Sequence, residues 1–304
     1  SAMNMLVLGG RGMAGHMLVS YFRRTARHKV AATVRSLRTS ALRTPDRDAP
    51  PGSGGAAGVR EIPLDVRRPE CVARVLLEER PDVVINAVGV LNQKAEEHPL
   101  DAYLVNGFLP HWLAHLCDRL GARLIHISSD CVFSGARGGY REDDPPDGET
   151  VYARSKAMGE LRHHPRHLTI RTSIIGPEIR PDGIGLMRWF LTSRGTVTGY
   201  VRVPWNGVTT LELAKAIDWA IRHPEVAGLV HLTAPEPITK HDLLLLMRDV
   251  FGKRDVAVTP VEKPVIDRTL AVTRDDFAYC PPDYPAMLRE LKEWMGKWAA
   301  AEGF

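Results

Sequence analysis

The feature that most constrains this chain is an alternation of short apolar runs with longer stretches of helical period. Met5–Leu8 precedes a helical pattern from Met13 to Arg24, and Lys29–Val34 and Val59–Leu64 follow. A helix around Glu70–Glu79, a strand at Asp82–Asn86, a helix over Ala102–Leu120, a strand at Arg123–Ser128, a helix beginning near Tyr152 and a strand at Leu168–Thr172 continue the series. Runs with few polar interruptions suit strands buried on both faces, and the helices between them supply the crossovers that parallel pairing needs. Right-handed crossovers turn this order into an α/β fold, a doubly wound parallel sheet of Rossmann type. Residues 3–175 are therefore expected to form a dinucleotide-binding domain. Beyond Gly176 the alternation loosens into helices near Leu186–Leu191, Thr210–Arg222 and Lys240–Phe251, strands near His231–Thr233 and Val256–Val261, and a final amphipathic helix at Tyr284–Ala300. Residues 176–304 are expected mainly to form a smaller C-terminal substrate lobe over the carboxyl edge of the sheet, with some segments returning to that sheet. The Pro- and Gly-rich stretch Arg43–Gly58 predicts a mobile surface excursion.

Composition narrows the function classes. The 40 Lys and Arg against 36 Asp and Glu are scattered rather than gathered in one run, so a nucleic-acid groove is not expected. No apolar stretch reaches membrane-spanning length, and Met5–Leu8 runs into a glycine loop rather than a cleavage site, which predicts a cytoplasmic protein without membrane contact. Ser1 and Ala2 read as a tag remnant ahead of a native start at Met3. Cys71, Cys117, Cys131 and Cys280 lie too far apart for paired metal-ligand spacing or a disulfide scaffold. His163, His164 and His167 show no carboxylate partner in the sequence and read as a solvated helix end, so no metal is expected.

The glycine loop Gly9-Gly10-Arg11-Gly12-Met13-Ala14-Gly15 follows a strand and opens a helix. Glycines at 9, 12 and 15 permit a tight turn, close approach of a pyrophosphate to backbone N–H groups, and close helix–strand packing. At the end of the second strand, Thr33-Val34-Arg35-Ser36 offers no carboxylate for an adenosine 2′-hydroxyl. Arg35 and Arg11, with Arg38 as a further candidate, would instead hold the 2′-phosphate of NADP(H) through charge-assisted hydrogen bonds. Asp65 and Val66 are placed to meet the adenine, and Asn86, Ala87 and Val88 end a strand along the dinucleotide's path. A bare strand-end turn would leave the same small residues.

Tyr152 and Lys156 stand four apart, on one face of a helix, a spacing that a solvated helix face also shows. An ammonium beside a phenol favours the phenolate; bringing its pKa from about 10 to about 7 takes roughly 4 kcal/mol of differential stabilisation. Lys156 is the expected source, together with a bound nicotinamide's charge. Ser129, at the carboxyl edge after Arg123–Ser128, supplies a hydroxyl to a substrate oxygen.

Taken in order, the glycine loop, Asn86-Ala87, Ser128-Ser129-Asp130-Cys131-Val132-Phe133-Ser134-Gly135, Tyr152…Lys156 and Arg171-Thr172-Ser173 resemble the extended short-chain dehydrogenase/reductase superfamily. Within it, His126 to Gly135 with Tyr152 to Glu160 is similar to the dTDP-4-dehydrorhamnose reductase group of nucleotide-sugar 4-reductases. The resemblance implies that Ser129 orients a carbonyl, Tyr152 donates the proton, Lys156 holds the ribose and lowers the tyrosine pKa, and NADPH gives hydride. It implies a nucleoside-diphosphate 4-keto-6-deoxysugar as substrate, UDP- or dTDP-linked, bordered by Asp130 and Cys131 beside the catalytic serine. For the diphosphate and nucleoside, Arg171, Arg188, Arg194, Arg202 and Arg268 are candidate cations, and Trp205 and Asn206 lie in a glycine-flanked stretch able to approach a ligand. A homodimer is left open. The chain departs from the family pattern at Cys131, where tyrosine is usual, at Ser134, where aspartate is frequent, and across Thr196–Thr210. Two other functions stay in view: a nucleotide-sugar epimerase with tightly bound NAD, which the missing acid after the second strand disfavours, and a non-catalytic NADP-binding regulatory subunit, which an intact Ser129, Tyr152 and Lys156 set argues against.

Overall fold

The computed structural model describes residues 2–25, 28–36 and 59–302. Seven parallel strands form the central sheet. In chain order they are β1 (Asn4–Leu8), β2 (Lys29–Val34), β3 (Arg60–Pro63), β4 (Val83–Asn86), β5 (Arg123–Ser129), β6 (Leu168–Thr172) and a returning strand, Gly228–His231. Their spatial order is β3-β2-β1-β4-β5-β6 followed by Gly228–His231, so the order reverses at β1, which pairs with β2 on one side and β4 on the other. That reversal opens a crevice at the carboxyl ends of the strands, where α/β sheets bind ligands.

The sheet is apolar on both faces because its strands alternate between two buried environments. Met5 and Val7 of β1 join one core cluster with Ile85, Ile125 and Ile170, while Leu6 and Leu8 join a second with Val84 and Leu124. The first cluster is sealed by α1 (Met13–Arg24) and by helices Thr210–Ile221, Lys240–Val250 and Tyr284–Glu302, the second by helices Pro69–Glu79 and Leu109–Leu120. Each fully enclosed Leu or Val contributes about 1.5–3 kcal/mol relative to an exposed one. The first cluster runs without a break from β1 into residues beyond 176, and Gly228–His231 pairs with β6.

Two elements differ from expectation. The helix expected over Ala102–Leu120 is broken into Pro99–Ala102, a wide π-helical turn Tyr103–Phe108, and Leu109–Leu120. Pro110 lacks an N–H, and its ring would press on the carbonyl of Asn106 four residues earlier; the wide turn relieves this. Gly195–Tyr200, too rich in glycine and threonine to announce itself, is a strand paired in parallel with Val256–Val261. Arg38 and the stretch Arg43–Gly58 lie outside the described residues. Among the described residues no helix is long and apolar enough to cross a membrane.

Candidate active site

β5 delivers Ser129 to the carboxyl edge, where its Oγ accepts from the Cys131 amide at 3.0 Å and lies 3.4 Å from Asp130 Oδ1. Thr150 caps helix Val151–Met158 by accepting from the Ala153 amide at 3.0 Å, which puts Tyr152 in the first turn and Lys156 one turn later on the same face. Both side chains are buried. Lys156 Nζ donates to the Ile127 carbonyl at 2.9 Å, so the ammonium is anchored to the strand that carries Ser129. Burial brings the Lys156 pKa down to about 8, with Glu160 and Cys131 acting the other way. At Tyr152, burial pushes the phenol's pKa up and the adjoining Cys131 adds to the rise, while a hydrogen bond with Ser129 opposes it. The direction is opposite to the lowering expected from Lys156: desolvating a phenolate costs more than the surrounding groups return. A phenol held protonated is nonetheless the state that a proton donor requires. Burial likewise pushes the Cys131 thiol up to about 12, so Cys131 sits against the tyrosine as a packing group rather than a thiolate nucleophile.

The glycine loop fits a dinucleotide. Gly9 has φ 80°, a conformation that strains other residues. A Cβ on Gly15 would lie 1.9 Å from the Gly9 carbonyl oxygen, whereas one on Gly12 would meet only that oxygen at 3.6 Å and otherwise enter open space. Gly15 therefore closes the helix onto the loop, and Gly12 keeps the approach to the α1 N-terminus clear. Gly12 caps α1 without a side-chain hydrogen bond, leaving first-turn N–H groups and the positive end of the helix dipole for a phosphate. Met13 opens the helix, beneath Gly185 of the C-terminal half. Asn86 is buried, with Nδ2 3.1 Å from His126 Nδ1 and Oδ1 accepting from the Val88 amide at 3.3 Å; the Ala87 amide donates to Leu8. These contacts hold the β4 end flat beneath the loop.

Beyond the end of β2 the structure adds two residues that the sequence did not disclose. Glu61 of β3 pairs with Arg11, whose other nitrogen donates to the Ser36 carbonyl at 3.3 Å. Arg180, from the loop after Ile175, lies in the field of Arg35 and Arg11; burial and those like charges lower its pKa. Arg35 and Arg11 thus both act on Arg180 beyond β2, where Glu61 already pairs with Arg11. Asp65 is bound by the Arg67 guanidinium and amide at 3.0 Å, which holds its carboxyl below the usual range, and Val66 is packed against the second core cluster.

On the opposite side, lobe segments are knitted onto the turn after Ser129. Arg268 Nε donates to the Phe133 carbonyl at 2.9 Å, and Asn206 exchanges hydrogen bonds with Leu270 at 2.8 and 3.1 Å. Trp205 is buried, its indole N–H on Ser173 Oγ at 2.7 Å. Burial raises the Asp130 carboxyl pKa, offset in part by Lys240 and Arg268. Arg171 is not brought into this site. Its side chain is fully enclosed, bound to both Glu160 oxygens at 2.7 and 2.8 Å and to His231 Nε2 at 2.8 Å, and stacked over Phe133. The expected substrate contact at Arg171 is therefore corrected to an internal strut. Asn106 also went unnoticed in the sequence; its amide donates to Val90 O at 2.9 Å and Ser155 Oγ at 3.1 Å, tying the π-helical turn to the Tyr152 helix.

Two of the three histidines, His164 and His167, have a carboxylate partner after all. Asp118 lies 3.2 Å from His164 Nε2 and 2.8 Å from His167 Nε2, and His167 is buried. Backbone amides donate to Nδ1 of both rings, so both Nε2 atoms carry hydrogens towards Asp118. The group is a staple between helix Leu109–Leu120 and the approach to β6, with its ring lone pairs occupied.

Comparison with known proteins matches residues 3–270 to the RmlD substrate binding domain family. The chain is 31% identical to the dTDP-4-dehydrorhamnose reductase of Salmonella typhimurium over 213 residues, 67% of this chain and 71% of that one. It is likewise 31% identical to an Escherichia coli protein of that name, covering 75% of this chain and 85% of the relative. The dTDP-4-dehydrorhamnose reductase of Bacillus anthracis, solved in complex with NADP, superposes with TM-score 0.76 at 19% identity over 96% of this chain and 99% of that one.

Proposed function

The chain belongs to the RmlD substrate binding domain family, and from that premise we propose that it is an NADPH-dependent oxidoreductase reducing the C4 carbonyl of a nucleoside-diphosphate 4-keto-6-deoxysugar in the cytoplasm. The observation that carries the proposal is the meeting of Ser129 and Tyr152 at the sheet's carboxyl edge, with Lys156 anchored behind them and the open glycine loop after β1, across β4 from β5.

NADPH, when bound, supplies the hydride. Gly9, Gly12 and the first turn of α1 would hold its pyrophosphate, Arg35 and Arg180 with Arg11 would meet the 2′-phosphate, and Asn86 to Val88 would flank its path. Ser129 and Tyr152 hydroxyls define a position about 3 Å from both for the substrate oxygen. Their hydrogen bonds polarise the carbonyl, and Tyr152 O–H gives its proton to the oxygen as negative charge develops there. Lys156 keeps a positive charge beneath that transfer and offers N–H groups to the cofactor ribose. Asp130 and Arg268 border the sugar, and residues 176–304 act mainly as the substrate lobe, with the nucleotide part, UDP or dTDP, held there.

The test is NADPH oxidation with a panel of UDP- and dTDP-linked 4-keto sugars. Turnover of at least one is expected; none, with a simple ketone reduced quickly, would overturn the substrate class. Tight NADPH binding without any turnover would favour a binding subunit instead.

A further inference from the structure

The chain between strand Ile174–Ile175 and helix Leu186–Thr192 forms a strap anchored at both ends in the C-terminal half. At its start Gly176 is pressed onto Thr210, where a Cβ would lie 2.2 Å from Oγ1; just past its end, Met187 and Phe190 are enclosed in the first core cluster. Between these anchors the strap is closed by one of its own side chains. Glu178 folds back so that Oε2 accepts from the Gly185 amide at 2.9 Å, and its carboxyl rests on Gly183 as well, where a Cβ would lie 2.7 Å from Cδ. Arg188 adds a second tie by donating to the Pro181 carbonyl at 3.1 Å. Packed on its own carboxylate, the segment has the character of a compact Ω-type loop rather than an open connection. It reaches the N-terminal half at Gly185, where a Cβ would lie 2.3 Å from Met13 Cε. Met13 is the first residue of α1, whose first-turn N–H groups await a phosphate, so the clasped strap lies at the entry to the pyrophosphate position.

We propose that Glu178 is a positioning residue for the cofactor: it clasps the strap of residues 176–185 onto Met13, and NADPH enters and leaves the pyrophosphate position when that clasp opens. The inference rests on the NADPH-binding function above. The Glu178–Gly185 hydrogen bond is made wholly within the strap and needs no contact from the cofactor. Weakening it therefore raises the open fraction with and without NADPH alike, so passage quickens in both directions while the equilibrium affinity changes little. A residue that merely touched the cofactor would behave differently, because losing its contact chiefly speeds departure.

The experiment is stopped-flow NADPH fluorescence on the full chain, with association followed directly and dissociation by displacement with excess oxidised NADP. Glu178→Ala should raise both rates about tenfold, the effect of losing a hydrogen bond to a charged acceptor, and keep their ratio within about threefold. Glu178→Gln retains an acceptor of the same reach and should stay within about threefold of the unmodified protein in both rates. Gly185→Ala sets a methyl against both Met13 and the carboxyl and should quicken both rates too. Combined with Glu178→Ala it should add little beyond the faster single variant, since both changes open one contact. Faster dissociation without faster association, unchanged rates in Glu178→Ala, or a glutamine variant as fast as the alanine one would overturn the clasp and leave NADPH binding standing. Failure of the unmodified protein to bind NADPH would remove that function and this inference together.

Discussion

Glu160→Gln tests two consequences of one carboxylate. In the fold, Glu160 neutralises the enclosed Arg171 guanidinium through two hydrogen bonds, and what remains near that cation is the His231 ring and the face of Phe133. His231 cannot replace the anion: burial and Arg171 bring its pKa down to about 4, so it accepts from Arg171 as a neutral ring and its Nδ1–H faces the Ala271 carbonyl. Removing one partner of a buried ion pair typically costs about 3–5 kcal/mol. Glutamine keeps one acceptor, so the lower end applies. With an unfolding entropy of about 2.1 cal/mol/K per residue over 304 residues, about 3 kcal/mol corresponds to a fall in Tm of about 5 °C. In the site, Glu160 supports the charge on Lys156, whose pKa is about 8 against 10.5 unperturbed. Lys156 is thus cationic below about pH 8 and loses its charge above it, and NADPH affinity should hold below that pH and weaken through it. Because the folded-state pKa lies below the unfolded one, this group adds stability as pH rises from about 8 towards 10.5. In the glutamine variant the affinity midpoint should move to lower pH. Scanning calorimetry and NADPH fluorescence titration from pH 6 to 9.5 read both effects. A Tm within 1 °C of the unmodified protein would refute the buried-pair reasoning, and an unmoved midpoint would refute the link to Lys156.

Tyr152→Phe should reduce kcat by about 10²–10⁴ while NADPH binding stays close to normal, since packing is kept and only the donated proton is lost; wild-type kcat in steady-state assays would assign the proton elsewhere. Arg35→Ala and Arg180→Ala should each weaken NADPH about tenfold or more and leave NADH nearly unchanged in fluorescence titrations, and equal losses for both cofactors would place these arginines away from the 2′-phosphate. Cys131 should resist iodoacetamide at pH 8 while the exposed Cys280 reacts, as read by mass spectrometry; rapid labelling of Cys131 would contradict a thiol pushed up to about 12.

What the sequence disclosed is what local pattern encodes. Strand alternation located the sheet, glycine spacing located the tight turn that closes α1 onto β1, and the four-residue step from Tyr152 to Lys156 fixed a shared helix face. Pairings set by register and crossover were hidden. Glu61 reaches Arg11 because β3 lies beside β2, and Asp118 meets His164 and His167 because a helix end lies over the approach to β6. Arg171 looked like a substrate cation because a strand-end arginine is ambiguous until its neighbours are known. Its partner Glu160 lies in the quoted Tyr152–Glu160 motif, but sequence cannot say that both side chains turn inward. The sign of the Tyr152 shift was missed for a related reason: spacing reveals the neighbouring charge, while burial, which dominates here, is a property of the whole packed site.

The strand Gly228–His231 makes the two halves inseparable. A fragment ending at residue 175 would strip β6 of its outer neighbour, leaving unpaired backbone donors and acceptors along a buried strand, and would uncover the apolar face that α1 shares with helix Thr210–Ile221. Such an edge templates pairing with other chains. Dissection at the apparent boundary should therefore yield aggregate rather than a working nucleotide-binding module, and a graft that exchanges sugar preference between relatives would have to carry Gly228–His231 as part of the recipient's sheet.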